Sequence, residues 1–388
     1  MAENGQLKEF LADSKKLIGK EAPDVANGIS VADWTSIQKF CAALGDVNPL
    51  YNDMAAGLGN VYNTLIGPPG IVLSARTPNS GAAYEQKDYG LRKFTVGVSA
   101  QWEDVVRLGE RISNSLKVTG VSEGEKWGSR DTGIIESTAK YTTIHGGAIA
   151  EVKGTSAIVP FNIGEEWIED RDIHQYTDEE IAALEKDLDA IPPHRGKVPL
   201  YWSSVNEGDK LPTLVKGPVE YNSMELWEVA MAQPTTASLG PVAHRQVLSR
   251  PGQRTVNPTT NWPYWYLEQT FKDLLSVRAL GFRSPVVRGL QRFSLATQVI
   301  TNWMGDLGFL RSASLSLPNH FLYGDTMWVG GEVIRKYNEE VGDAKYNAVE
   351  VKLSAKNQLG QTLVEGTGVV YLPEKGFMVG LPIGNPWW

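Results

Sequence analysis

The hydrophobic period of this chain changes several times, and the changes divide it. Leu7 to Leu17 (LKEFLADSKKL) and Ala32 to Leu44 (ADWTSIQKFCAAL) space their apolar residues three and four apart, which predicts two helices. Gly45 follows the second as a C-terminal stop. A polar loop, GDVNPLYNDMA, and a Gly/Pro corner, IGPPG, come next, leading into the apolar stretch Ile71 to Ala75. Beyond Phe94 the period falls to two. FTVGVSAQWEDVV, ERISNSLKVTGVSE, IESTAKYTTI and IAEVKGTSAIVP read as strands separated by Gly turns. A helix followed by consecutive strands predicts an α+β arrangement and not an alternating βαβ sheet.

Asn162 to Val198 breaks that rhythm with an acidic helix, TDEEIAALEKDLDAI, and then PPHRGK, which reads as a surface linker. The second half then retells the first. A helical run, SMELWEVAMA, precedes a long Trp/Pro-rich stretch, the corner FRSPVVRGLQRF and an apolar helix, SLATQVITNWM. Strand-like runs follow in GDTMWVGGEVIRKY, YNAVEVKLSAKN and TLVEGTGVVYLP. Matching phrases keep their distance: Gly109 and Gly324 are 215 residues apart, Pro160 and Pro373 are 213 apart. Near-constant spacing over a whole domain points to duplication. The expected organisation is a first domain over 1–165, a linker over 166–200 and a second domain over 201–388.

Composition narrows the class. At 388 residues the chain is too long for one ordinary core. Its 42% hydrophobic and 21% charged residues are those of a soluble globular protein, and no apolar run approaches the roughly 18 residues of a membrane span. The polar start MAENGQLKEF gives no sign of a secretory leader, and a cytoplasmic location is expected. One cysteine, Cys41, excludes internal disulfides and a Cys-based zinc site; no metal is expected. A net charge of −8 argues against bulk nucleic-acid binding. The charge is uneven, however. Nine Arg or Lys face three acids between His244 and Arg311, a band that includes Arg288 and Arg292. Such a band suits a phosphate-bearing ligand such as coenzyme A, or is simply a solvated surface.

GDVNPLYND, Gly45 to Asp53, is the informative motif. It resembles the GDxNPxHxD signature of MaoC-like acyl dehydratases and R-specific enoyl-CoA hydratases. The resemblance extends to KFCAALGD before the motif, the Pro-Pro-Gly corner after it and the phrase WEDVVRLGERI. In the second half it extends to YWSSVNEGDKLPTLVKGPV and GLQRFSLATQVITNWMGDLGFLR, the two-domain branch of that family. It implies a double hotdog: two fused domains, each a central helix wrapped by an antiparallel sheet. It also implies an acyl-CoA thioester as substrate, with no cofactor beyond the coenzyme A of the substrate itself, and a homodimer.

In that family the motif's Asp and His act together on water or on a substrate hydroxyl. Here Asp46, Asn48 and Asp53 keep their places, but Tyr51 stands where His is expected. A tyrosine ionises near pH about 10 and a histidine near about 6.5, so Tyr51 suits a proton donor better than a base. The second half departs further: FKDLLSVRALGF resembles HxDxxxARxxGF, with Phe271 at the His place, Asp273 at the Asp place and Arg288-Gly289 where His-Gly is common. By the same resemblance, Gly70 and Gly289 would open the starts of the two central helices, where backbone N–H groups hold the thioester oxygen. Trp265 and its aromatic neighbours in NWPYWYLEQTF could line a slot for a bulky or cyclic acyl group, or cover the sheet. His244 alone among the histidines adjoins this basic, aromatic segment, while His194 falls in the linker.

Three functions remain open on the sequence. One is a hydratase or dehydratase with Asp46 as base and Tyr51 as proton donor. Another is a thioesterase, or a C–C bond hydrolase or lyase acting on a β-oxo acyl-CoA, on the same scaffold, since a fold does not fix a reaction. The third is a non-catalytic acyl-CoA-binding subunit.

Overall fold

The structure is a computed structural model that describes residues 2–22, 28–83, 87, 89–162, 164–231, 240–249, 251, 254–257, 259–266, 271, 274 and 277–385. Asp273 lies outside the described residues.

One nine-stranded antiparallel sheet runs through the molecule. The first half contributes β1 (Leu91–Trp102), β2 (Ile112–Trp127), β3 (Arg130–Thr143) and β4 (Ala148–Pro160). The second contributes β8 (Phe309–Ser316), β9 (Met327–Val341), β10 (Ala344–Asn357) and β11 (Thr362–Tyr371), with β5 (Lys210–Lys216) on the outer edge. The spatial order is β2-β3-β4-β1-β8-β11-β10-β9-β5. Counted outward from the middle, each half therefore lays down its first, fourth, third and second long strand. The duplication read from the spacing of Gly109 and Gly324 is a duplication of topology.

The halves join where β1 meets β8, in a register running from Gly97 opposite Ser316 to Gln101 opposite Ser312. Across this seam the Ser99 and Ser314 hydroxyls lie 2.7 Å apart. Buried Arg311 donates to the Trp102 carbonyl and pairs with Glu103, each at 2.7 Å. Neither β8 nor β5 is among the strand runs expected from the sequence. β8 (FLRSASLS) is short and serine-rich, and β5 carries Pro212, where its pairing with β9 shifts register.

The helices that fill the concave side differ between halves. The second half has α8 (Gly289–Met304), with nearly every residue buried, as expected of a helix enclosed on all sides. At the corresponding place the first half has a six-residue 3-10 helix, Pro69–Ser74. The expectation of a full central helix in each domain holds for the second half alone. The leading helices α2 (Trp34–Leu44) and α6 (Tyr221–Ala230) pack together across the halves, with the Phe40 and Trp227 rings 5.6 Å apart.

The segment read as a surface linker is docked on the second half. Arg171 makes a two-pronged pair with the buried Asp325 at 2.7 Å, and Tyr176 donates to the Gly324 carbonyl at 2.9 Å. Its helix α5 (Asp178–Asp189) is closed by a Thr177/Glu180 capping box. Beyond α5, residues 194–198 form a strap over the C-terminal end of α8. The Arg195 amide donates to Asn302 and its Nε to the Trp303 carbonyl, at 3.0 and 2.7 Å; the Asp306 amide donates to the Gly196 carbonyl at 2.9 Å. Gly305 makes this approach possible: it sits at φ 70°, and a Cβ there would meet the Gly196 oxygen at 3.0 Å and the Val198 oxygen at 3.2 Å.

Candidate active site

The motif loop is positioned by the end of α2. Asp33 caps the start of that helix, accepting from the Ser36 amide at 2.7 Å, and Ile37, Phe40, Cys41 and Leu44 bury its inner face. At the other end Gly45 takes the left-handed conformation, φ 58°, and the Asp46 amide reaches back to the Cys41 carbonyl at 2.9 Å. That six-to-one closure is a Schellman turn, which throws the next residue inward. Asn48 then caps the short helix α3 (Pro49–Asn52), accepting from the Leu50 amide at 3.0 Å. Asn52 ties the loop to itself, donating to the carbonyls of Asp46 and Asn48 at 3.0 and 2.9 Å.

Asp46 ends up buried at 5% exposure. Its Oδ1 accepts from the Asn48 amide at 3.0 Å, and the Gln298 side chain of α8 lies close by. Burial raises its carboxyl above the usual range, against the opposing pull of the Asn48 amide, Lys216, His194 and Gln298. Lys216, from β5 of the other half, donates to the Leu44 carbonyl at 2.7 Å. Its enclosure brings the ammonium down to about 8, with Asp46 resisting. Tyr51 is fully buried. Its hydroxyl is pushed well up by burial first and then by the facing charges of Asp46, Cys41, Tyr62 and Asp306. Tyr51 therefore stays protonated and serves as a hydrogen-bonding hydroxyl, not as a base.

A second carboxyl belongs to the same neighbourhood. Asp306, two residues past α8, is 7% exposed, and its Oδ1 has no hydrogen-bond partner among the described residues. Burial raises it, with His194 and Lys197 of the strap opposing. Asn302 Oδ1 and Gln298 Oε1, one and two turns earlier, are likewise buried and without a partner among the described residues. Nothing in the local sequence marks Asp306, Gln298, Lys216 or His194. They come from the other half or the linker, and only the fold brings them to the motif.

An apolar cavity of about 30 Å³ adjoins the loop, lined by Tyr51, Tyr62, Ile66, Trp102, Val106 and Phe309 among others. It holds roughly one or two water molecules, so an acyl chain would displace side chains to enter.

The remaining expected residues lie elsewhere. Asp53 is exposed and caps α4 (Met54–Leu58), accepting from the Ala55 and Ala56 amides at 2.8 and 3.3 Å. Gly70 does not open a path for substrate: a Cβ there would meet Ser294 Oγ at 2.9 Å and the Phe40 ring at 3.0 Å. Its small size lets the 3-10 helix lie against α8. Gly289 is packed in the same way against Thr95 of β1. It also lies nine residues before Gln298, about 13 Å along a helix, too far to share a thioester group with Asp46. Phe271 and Arg288 stack at that far end, the guanidinium 4.1 Å from the ring centroid and paired with Glu228 at 2.8 Å. Arg292 is buried on α8 and donates to the Asn319 carbonyl. Trp265 lies in β7 (Trp265–Tyr266), which pairs with β6 (Arg254–Thr255). His244, on α7 (Gly240–Leu248), packs against Tyr264 at 5.0 Å. None of these lines the cavity beside Tyr51. The aromatic slot is corrected on this point: the Trp-rich segment gathers around α7.

No family model matches the chain, and no curated protein does. Solved structures do. A MaoC-like dehydratase superposes with a TM-score of 0.61 at 13% identity, over 92% of this chain and 99% of its own. A structure described as a MaoC domain dehydratase from Chloroflexus aurantiacus gives 0.54 at 14% identity, over 92% and 95%. A Mycobacterium tuberculosis protein described as a double hotdog gives 0.50 at 12%, over 92% and 96%. The fold is a double hotdog, the architecture of MaoC-like dehydratases, spanning nearly the whole chain.

Proposed function

We propose that the protein is a hydro-lyase that adds water to, or removes it from, the α,β-bond of an acyl thioester, with Asp46 as its principal proton-transfer group. The observation that carries this is the state of Asp46. It is a buried carboxyl held by the Asn48 amide, in the loop whose Leu50 and Tyr51 line an apolar cavity, with its affinity for protons raised. A carboxyl shifted toward neutrality can both take and return a proton, which hydration and dehydration require. Tyr51, always protonated, supplies a hydrogen bond from the cavity wall. The retained GDxNP loop and the double-hotdog fold support the same reading.

The test is an assay of the purified chain on a panel of enoyl-CoAs and 3-hydroxyacyl-CoAs, with free thiol followed in parallel. Reversible hydration without thiol release is expected, and Asp46→Asn should lower kcat by roughly 10²–10⁴-fold while leaving the melting temperature near that of the wild type. Thiol release in place of hydration would identify a hydrolase. Turnover of neither substrate class by the wild type would overturn the reading.

A further inference from the structure

We infer that a stripe of buried acceptors along α8, from Gln291 through Gln298 and Asn302 to Asp306, holds a file of water molecules that joins Asp46 to the surface at the strap. The inference rests on the hydro-lyase reading of Asp46 and concerns how the water of that reaction arrives and leaves.

The stripe follows from spacing. Gln298 and Asn302 come seven and eleven residues after Gln291, so at about 3.6 residues per turn the three share one face of the helix. Asp306 follows one turn's length after Asn302, just beyond the helix end. Each of the four carries a buried side-chain oxygen without a partner among the described residues: Gln291 Oε1, Gln298 Oε1, Asn302 Oδ1 and Asp306 Oδ1. A buried acceptor left bare is destabilising, and native structures rarely leave one so. All four are acceptors, so a ligand that serves two neighbours must be small and donate twice. Water does both. Gln298 and Asn302 stand about 6 Å apart along the axis, a gap that one water donating to each can span.

Both ends of the stripe are placed. Gln291 donates to the carbonyls of Ala43 and Ser223 at 3.3 and 3.1 Å. This fixes the face against the end of α2, three residues ahead of Asp46, and the Gln298 side chain lies close to Asp46 itself. At the other end Met304 and Gly308, two residues to either side of Asp306, line the cavity with Tyr51. The strap lies over that turn, with the Asp306 amide bound to the Gly196 carbonyl at 2.9 Å, and Val198 beyond it is 62% exposed. Hydration consumes one water at a carboxyl that is only 5% exposed, and dehydration releases one there. The file gives that water a route in both directions.

The closing experiment uses the full-length chain. A high-resolution crystal structure should show ordered water within hydrogen-bond reach of Gln298 Oε1, Asn302 Oδ1 and Asp306 Oδ1. Asn302→Leu fills the middle of the file with a side chain of similar size and keeps the backbone carbonyl that holds Arg195. Its melting temperature should stay level or rise, because a buried acceptor is removed. Its kcat should fall roughly 3–10-fold in hydration and dehydration alike, the effect of one lost hydrogen-bonded link. Asn302→Ser, which returns an acceptor and leaves room for water, should recover part of that loss. Oxygens that pair with protein donors and hold no water would overturn the inference while leaving Asp46 in place. So would a folded Asn302→Leu enzyme that turns over at the wild-type rate. A wild type without activity on the panel sinks the hydro-lyase reading instead, and this one with it.

Discussion

The two halves share a strand order but not a filling. Around Asp46 the first half has a capped loop, buried polar groups and a six-residue 3-10 helix. Around Phe271 the second half has an Arg288–Phe271 stack, a packed Gly289 and a 16-residue helix enclosed on every side. One copy kept the chemistry-bearing loop and lost its helix; the other kept the helix and lost the loop's acid–base character. α8 spans both, with Gln298 in its C-terminal half close to Asp46 and Gly289 at its N-terminal end packed against Thr95.

This division can be broken at graded points. The largest effect is expected at Phe293, in the second turn of α8 and 1% exposed. Phe293→Ala should cost about 3–5 kcal/mol in urea titration, more than Val72→Ala in the short 3-10 helix. Equal costs would mean that the two fillings carry equal weight.

The next test is one of pH. The Lys216 ammonium is lowered from 10.5 to about 8 in the folded protein, so between those values the unfolded chain holds more protons and stability rises with pH. The increment is at most about 3 kcal/mol, at 1.36 kcal/mol per pH unit. It should appear as a difference between wild type and Lys216→Met that rises in favour of the wild type, measured by denaturant melts from pH 8 upward. A difference that stays flat with pH would remove Lys216 from the interface between the halves.

A smaller pair of changes compares the two glycines. Gly289→Ala drives a Cβ to 2.7 Å from Thr95 Cβ and 3.0 Å from its carbonyl, which are fixed in β1. It should cost about 1–3 kcal/mol. Gly70→Ala meets a rotatable serine hydroxyl and a ring edge, and should cost less. The reverse order would show that the 3-10 helix is the tighter packing. The smallest effect is expected from Phe271→His: restoring the imidazole to the second half should give no gain in turnover, because the site there is closed. A measurable gain would show a second working centre.

Much of the fold was legible because its signals are local. The period-two runs, the Asp33 cap, the Gly45 stop and the repeated phrases around Gly109 and Gly324 each depend on neighbours in sequence. The seam strand β8 was not, since FLRSASLS has weak alternation and its identity comes from pairing with β1. The site was half legible. The motif exposed Asp46 and Asn48, and it also suggested thioester-binding roles for Gly70 and Gly289, whose close packing against Ser294, Phe40 and Thr95 no local pattern announces. Lys216 and His194 act electrostatically on Asp46, and Asp306 on Tyr51, across more than a hundred residues of chain, so no window of sequence holds their relation. PPHRGK looks like linker because its strap geometry is written at Gly305, more than a hundred residues later.

The seam at β1 and β8 has a genetic consequence. In a symmetric assembly of two identical subunits every substitution appears twice, so a change that improves one pocket is imposed on the other. With both halves in a single reading frame, a mutation at Phe271 is made once and leaves Tyr51 untouched. The continuous sheet thus does more than hold two modules together. It frees each from inheriting the other's errors, and the unequal cores on its two sides record the drift that this freedom allows.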